Sequence, residues 1–106
     1  MKGLGDMGKL VKQAQEMQAK MMRVQEELAA REVEASAGGG AVTVRMTGKQ
    51  DMISVKIRPE VVDPGDVEML EDLIVAACHE AKKKSEELAR DELSKVTGGM
   101  PLPGLF

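Results

Sequence analysis

The chain of 106 residues has almost no aromatic side chains: Phe106 is the only one, and Trp and Tyr are absent. Its core must therefore be built from Met, Val, Leu, Ile and Ala. Nine Met residues are available, and Met packs tolerantly both in cores and at adaptable contact surfaces. Because a chain of this length can just bury its own core, a core without rings favours completion by a second copy.

Cysteine and long apolar runs are also scarce. The single Cys78 excludes an intrachain disulfide framework and favours a reducing compartment. The longest apolar run, Leu73 to Cys78, is far too short to span a membrane, and the N-terminus lacks the apolar run of a signal peptide. We therefore expect a cytoplasmic protein with no membrane partner. The net charge of −3 gives no overall attraction to nucleic acid.

The residues needed for catalysis are largely missing. His79 is the only histidine, so one chain cannot supply a two-His metal site or a Ser-His triad. Cys78 and His79 would lie about 100° apart on a helix and cannot act as nucleophile and base. We expect Cys78 in the helix–sheet core and His79 on its flank. The sequence predicts no enzyme, no metal and no cofactor, and a catalytic dimer with paired His79 side chains is the poorest alternative.

Hydrophobic periodicity predicts the first helix, over about residues 7–30. Its apolar positions are spaced alternately by three and four residues, which is the heptad pattern of a long amphipathic helix. They are Met7, Leu10, Ala14, Met17, Met21, Val24 and Leu28. We interpret the Met residues of this stripe as core or dimer contacts.

The period then changes to two, which predicts three short strands at about residues 32–37, 41–47 and 52–58. Gly38-Gly39-Gly40 is interpreted as a hairpin turn, because neither Lys-Ser/Thr nor a helix follows it as a phosphate loop would require. A second helix is predicted over about 64–96, with Asp63 as its N-cap and Pro64 in its first turn. Residues 1–97 are thus predicted to form one domain, followed by a Gly/Pro-rich tail at 98–106.

These elements predict an α+β fold made of a helix, a three-stranded antiparallel β-meander and a helix. A helix of about 25 residues is roughly 35–40 Å long, whereas strands of six or seven residues span only about 20–24 Å. Both helices must therefore extend beyond the sheet. We call the apolar stripe of the first helix its seam. The exposed part of this seam and the open sheet edges both favour a homodimer with projecting helices.

The distribution of charge is more informative than its sum. Residues 1–25 carry five basic side chains against Asp6 and Glu16, and Gln side chains able to bond phosphates lie among them. The second helix carries the basic run Lys82-Lys83-Lys84, with several acids further along the same helix. A mixed run of this kind is typical of a solvated helix face. Charge alone therefore favours a protein–protein module over a nucleic-acid-binding protein.

Several segments resemble the YbaB/EbfC family of bacterial nucleoid-associated proteins, in order and at matching spacing over nearly the whole chain. Residues 12–18 and 25–29 are similar to its first helix, residues 32–42 to its first hairpin, and residues 68–77 to its second helix. Thr97-Gly98-Gly99-Met100-Pro101 and the ending Pro103-Gly104-Leu105-Phe106 are similar to its tail. One departure is Cys78-His79-Glu80, where members often have Phe-Asn-Asp.

The resemblance implies a tweezer-like homodimer whose projecting helices bind duplex DNA with relaxed sequence specificity. It implies a role in nucleoid organisation, gene expression or recombinational repair, and a location at the nucleoid. Carried over position by position, it implies DNA contacts by Lys9, Lys12, Gln13, Lys20 and Arg23 on the first helix and by Lys82, Lys83 and Lys84 on the second. The alternative is an adaptor for replication or repair proteins that uses the Met-rich helices and the tail.

Overall fold

The computed structural model describes residues 2–98, with side chains from Asp6 onward. Two long helices flank a small sheet, and the order of elements confirms the predicted helix, antiparallel three-stranded meander and helix. The elements are α1 (Lys2–Ala30), β1 (Glu32–Ala37), β2 (Val42–Thr47), β3 (Met52–Ile57), a short 3-10 helix (Pro59–Val61) and α2 (Val67–Thr97).

The sheet has the order β1-β2-β3, with both neighbouring pairs antiparallel. Ala35 pairs with Val44, and Val44 pairs in turn with Val55, so these side chains share one face. The first half of α2 lies on this face, where Ala77 and Ala81 are fully buried against β1 and β2. The helix does not cover β3, whose apolar side chains on the same face stay exposed.

The second half of α2 packs on α1 instead of the sheet. Leu93 is buried against Val24 and Leu28, which form the inner end of the α1 seam. Between the two clusters Ser85 is fully buried, and its Oγ donates a hydrogen bond to the Thr47 carbonyl at 2.8 Å. One helix therefore joins both parts of the core.

The predicted start of α2 was wrong by one turn. Asp66, not Asp63, is the N-cap, and its carboxylate accepts a hydrogen bond from the Met69 amide at 3.2 Å. The Asp63 carboxylate instead accepts from the Gly65 amide at 2.9 Å. This local turn competes with helix formation, a property that makes Asp common both in turns and at caps.

The ends of the other predicted elements also shift slightly. Helix α1 begins at Lys2 rather than near residue 7, because no Pro interrupts the segment and its glycines weaken a helix without ending it. Gly98 is the C-cap of α2 in the left-handed conformation, with φ 64°, and glycine is the usual residue at such a helix end. The rest of the predicted tail, residues 99–106, lies outside the described residues.

Gly48 holds the inner end of α1 against the sheet. Its amide donates to the carbonyl oxygens of Leu28 at 2.9 Å and Arg31 at 3.0 Å, two groups at the helix end that need partners. A Cβ at this position would stand 2.7 Å from the Leu28 oxygen. Only glycine therefore allows the β2–β3 turn to approach α1 this closely.

We expect Gly48→Ala to lower the free energy of unfolding by about 1–3 kcal/mol, the usual cost of overpacking a close contact. Urea unfolding followed by far-UV circular dichroism measures this change. The matched control is Gly8→Ala, because Gly8 lies in α1 with open space around it. That variant should stabilise the helix by up to about 1 kcal/mol. Equal effects of the two substitutions would contradict the role given to Gly48.

Candidate nucleic-acid interface

The five residues predicted on the first helix form one exposed surface, which we call the cationic face of α1. All five side chains are exposed, and at 100° per residue they fall within an arc of about 100°. This arc lies roughly 120° around the helix from the apolar seam. Helix α1 thus carries two separate stripes, one cationic and one apolar. The cationic face comprises Lys9, Lys12, Gln13, Lys20 and Arg23.

The inner end of the cationic face borders a groove between the two helices. Lys20 and Arg23 line this groove of about 270 Å³ together with Lys95 from α2. Lys95 was not among the predicted contacts, because nothing in the sequence indicates which turn of α2 lies beside Arg23. The antiparallel packing of the two helices brings it there. The groove therefore extends the cationic face with a third positive charge.

Glu92 balances part of this charge and ties the two helices together. Its Oε1 accepts hydrogen bonds from Lys95 at 3.1 Å and from Arg31 at 3.0 Å. The hydrogen bond from Lys95 lowers the pKa of the Glu92 carboxyl, and the charges of Lys95 and Arg31 act in the same direction, although burial opposes them. The carboxylate therefore stays ionised and holds Arg31 and Lys95 in place.

The structure brings only two of the three predicted lysines of α2 together. Lys84 donates to the Glu34 carbonyl of β1 at 2.8 Å. Lys82 and Lys83 line one groove together with His79, and Lys82 also borders a second groove beside Met46. Successive residues diverge by about 100° on a helix, so the run of three in the sequence does not form a single cluster in space. DNA contact by these three residues stays a prediction.

A second surface is apolar and runs along β3. Ile53, Val55 and Ile57 are exposed on this edge strand. Next to them an almost wholly apolar groove of about 270 Å³ is lined by Ile74 and Cys78, among others. Cys78 is half-buried against the sheet core while the neighbouring His79 is exposed, as predicted.

Neither a metal-binding cluster nor a membrane-spanning helix occurs in the described part of the chain. Among residues 2–98, no three His, Cys, Asp or Glu side chains come together in a way that could hold a metal ion. Within the same range no helix has the length and apolar character needed to cross a bilayer.

Comparison with known proteins defines the class. The sequence model of the YbaB/EbfC DNA-binding family matches residues 2–100. A nucleoid-associated protein of Alkaliphilus metalliredigens is 56% identical over all of this chain and 93% of its own length. One from Acetivibrio thermocellus is 60% identical over 96% of this chain and 91% of its own. The chain belongs to the YbaB/EbfC DNA-binding family.

The fold is also found in a solved structure. The crystal structure of an uncharacterized protein from Helicobacter pylori matches with a TM-score of 0.70 at 22% sequence identity. The match covers 88% of this chain and 94% of the other. At this identity the similarity concerns the arrangement of helices and strands, which is retained although most side chains differ.

The ion pairs of Glu92 with Arg31 and Lys95, which we call the Glu92 bridge, should make the contact between the helices sensitive to acid. The lowered pKa of the Glu92 carboxyl means that the bridge stabilises the fold above the ordinary carboxyl pKa of 4.5 and is lost as the pH falls through the lower folded value. Glu92→Gln should therefore lower the thermal unfolding midpoint at pH 7, and the difference from the parent should shrink at pH 3. Melting both proteins at the two pH values tests this. A difference that is constant or grows in acid would contradict it.

Proposed function

We propose that this protein is a non-catalytic homodimer that binds duplex DNA through the cationic face of α1, with little sequence preference. Through this binding it contributes to nucleoid organisation, gene expression or recombinational repair in the cytoplasm. The observation that carries the proposal is the gathering of four cations and an amide on one exposed stripe of a projecting helix. Family membership supports DNA as the partner, and the relatives named nucleoid-associated proteins support the location.

The chemistry of this stripe suits phosphates better than bases. Lys side chains act as flexible point charges, and phosphate contacts position a protein on DNA without reading its sequence. The acid Glu16 interrupts the stripe, and the net charge of the chain is −3. Attraction to DNA must therefore be local to the helices, and salt should screen it strongly.

The uncovered strand β3 supports the homodimer. Met52 is 52% exposed, Ile53 42%, Val55 37% and Ile57 36%. The apolar groove beside Cys78 is lined by Met46 of β2, which pairs with Met52, so apolar surface extends from the groove to an open sheet edge. Open edges of this kind pair readily with another chain, and apolar surfaces of this kind mark interaction sites. A second copy would cover both and give the DNA two pairs of projecting helices.

The alternative function is an adaptor that holds a replication or repair protein. It is favoured by the exposure of Met7, Leu10 and Met17 on α1, since flexible Met side chains suit adaptable contacts. The two functions differ in their dependence on charge. DNA binding requires the cationic face, whereas an adaptor requires the apolar seam and the tail.

Mobility-shift titrations on two unrelated duplexes test the DNA proposal. The parent should shift both duplexes at micromolar dimer, and binding should collapse steeply between low and moderate salt. Replacing Lys9 and Lys12 by Gln should weaken binding to both duplexes alike. The slope of log K against log salt should fall by about one for each lost phosphate contact.

The matched control is Lys49→Gln. Lys49 is equally charged and exposed but borders a groove with Gln25 and Glu86 on the other side of the helix pair. The Lys49→Gln variant should leave both the affinity for DNA and the salt slope unchanged. No shift on either duplex, or equal losses for the control and the double variant, would contradict the proposed interface.

In dilute solution Val55→Lys should convert the dimer into a monomer, because the new charge would be buried at the β3 surface without a partner. Light scattering coupled to size exclusion measures the mass. Met22→Lys is the control, since Met22 is an exposed apolar residue on α1, away from the sheet. That variant should keep the mass of the parent. A Val55→Lys variant with normal circular dichroism that is still dimeric in dilute solution would place the interface elsewhere.

A further inference from the structure

The outer part of the α1 seam has no cover among the described residues. Met7 is 62% exposed, Leu10 63% and Met17 46%, and Ala14 between them is also exposed. Helix α2 covers the same seam only from Met21 inward, where Val24 and Leu28 are buried. We call the uncovered positions the free seam (Met7, Leu10, Ala14 and Met17). It lies on the projecting segment of α1 and not on the sheet body.

A helix in this position gains from a partner. In proteins, most of the stability of a helix comes from the packing of its apolar face, and Gly8 weakens this segment further. Yet the spacing of the free seam keeps the strict three–four alternation of a coiled coil. Such a narrow stripe fits another helix better than it fits a sheet or a globular surface.

We propose that the free seam binds the free seam of a second copy in antiparallel orientation. Centred on Lys12, this pairing places Met7 against Met17 of the other copy and Leu10 against Ala14, so that the small Ala14 leaves room for Leu10. The flanking charges match as well. Asp6 falls beside Lys20 of the other copy, and the symmetry of the pair gives this contact twice.

The parallel orientation lacks this complementarity. The residues that flank the seam would then pair as Asp6 with Val11, Gln13 with Gln18, and Lys20 with Gln25. None of these pairs joins opposite charges. A parallel pair would also align the two seams through Val24, which α2 of the same chain already covers. Charge and space therefore both favour the antiparallel pair.

This pairing is separate from the β3 surface and shares only Lys20 with the cationic face. It joins the tips of two molecules, whereas the proposed dimer joins their sheets. The cationic face is about 120° around the helix from the seam, so Lys9 and Lys12 stay accessible. A protein with both interfaces would link dimers tip to tip and so bring separate DNA segments together.

Zero-length cross-linking tests the orientation directly. A carbodiimide joins a carboxylate to an amine only at contact distance, and along one helix Asp6 and Lys20 are about 21 Å apart. An Asp6–Lys20 link found by mass spectrometry must therefore join two copies, and only the antiparallel pair allows it. We expect this link in the full-length protein without DNA, increasing with protein concentration. Absence of the link at concentrations where the mass exceeds that of the β3 dimer would overturn the proposal.

Charge exchange supplies the quantitative test, by sedimentation equilibrium without DNA. Asp6→Lys and Lys20→Asp should each weaken the tip association by about tenfold, because each creates two like-charge contacts per pair. The double variant restores both contacts and should recover the parent's association. A double variant no better than the single ones would contradict the register.

Two further measurements identify which surface mediates the association. In the Val55→Lys background the tip association should persist as a monomer-to-dimer equilibrium, so failure of the β3 interface is distinguishable from failure of this one. Removing residues 99–106 should leave the association constant unchanged. A marked rise in the association constant after removal of the tail would show that the tail occupies the free seam. That result would overturn the proposal.

Discussion

The contact between Gly48 and the last turn of α1 determines the direction of the whole helix. The carbonyl oxygens of Leu28 and Arg31 accept hydrogen bonds from the Gly48 amide, and this contact leaves no room for a side chain at residue 48. One residue before Gly48, the Thr47 carbonyl accepts a hydrogen bond from the buried Ser85 of α2. Helix, sheet and second helix are thus held at one joint. The rest of α1 must project from this joint, and the molecule is 78 Å long but only 21 Å wide.

The projection of α1 explains why the exposed apolar surface is divided into two separate parts. Helix α2 is long enough to cover two strands and then the inner turns of α1, but it covers neither β3 nor the outer turns of α1. Two apolar surfaces remain, at opposite ends of the protomer, and the cationic face lies beside the outer one. A core without aromatic residues is sufficient because it is shared along one helix and, in the proposed assembly, between copies.

Much of this architecture follows from periodicity in the sequence. Apolar residues spaced alternately by three and four positions from Met7 to Leu28 predict α1, and apolar residues at every second position predict each strand. The common face of Lys9, Lys12 and Lys20 follows from the same helical geometry. What periodicity cannot give is the relative placement of elements. The position of Lys95 beside Arg23 depends on how far α2 runs along α1. The shift of the N-cap from Asp63 to Asp66 depends on a local turn at residues 63–66, which periodicity does not indicate.

The proposed function depends on DNA lying along the cationic face of α1 in a protein whose net charge opposes binding. An NMR titration of the labelled dimer with a short duplex at low salt tests this contact most directly, because each amide reports separately. We expect shifts along residues 9–23 and at Lys95, which vanish when salt is raised, with little change at residues 48–51. The absence of shifts along α1 would contradict it, whether or not residues 82–84 respond.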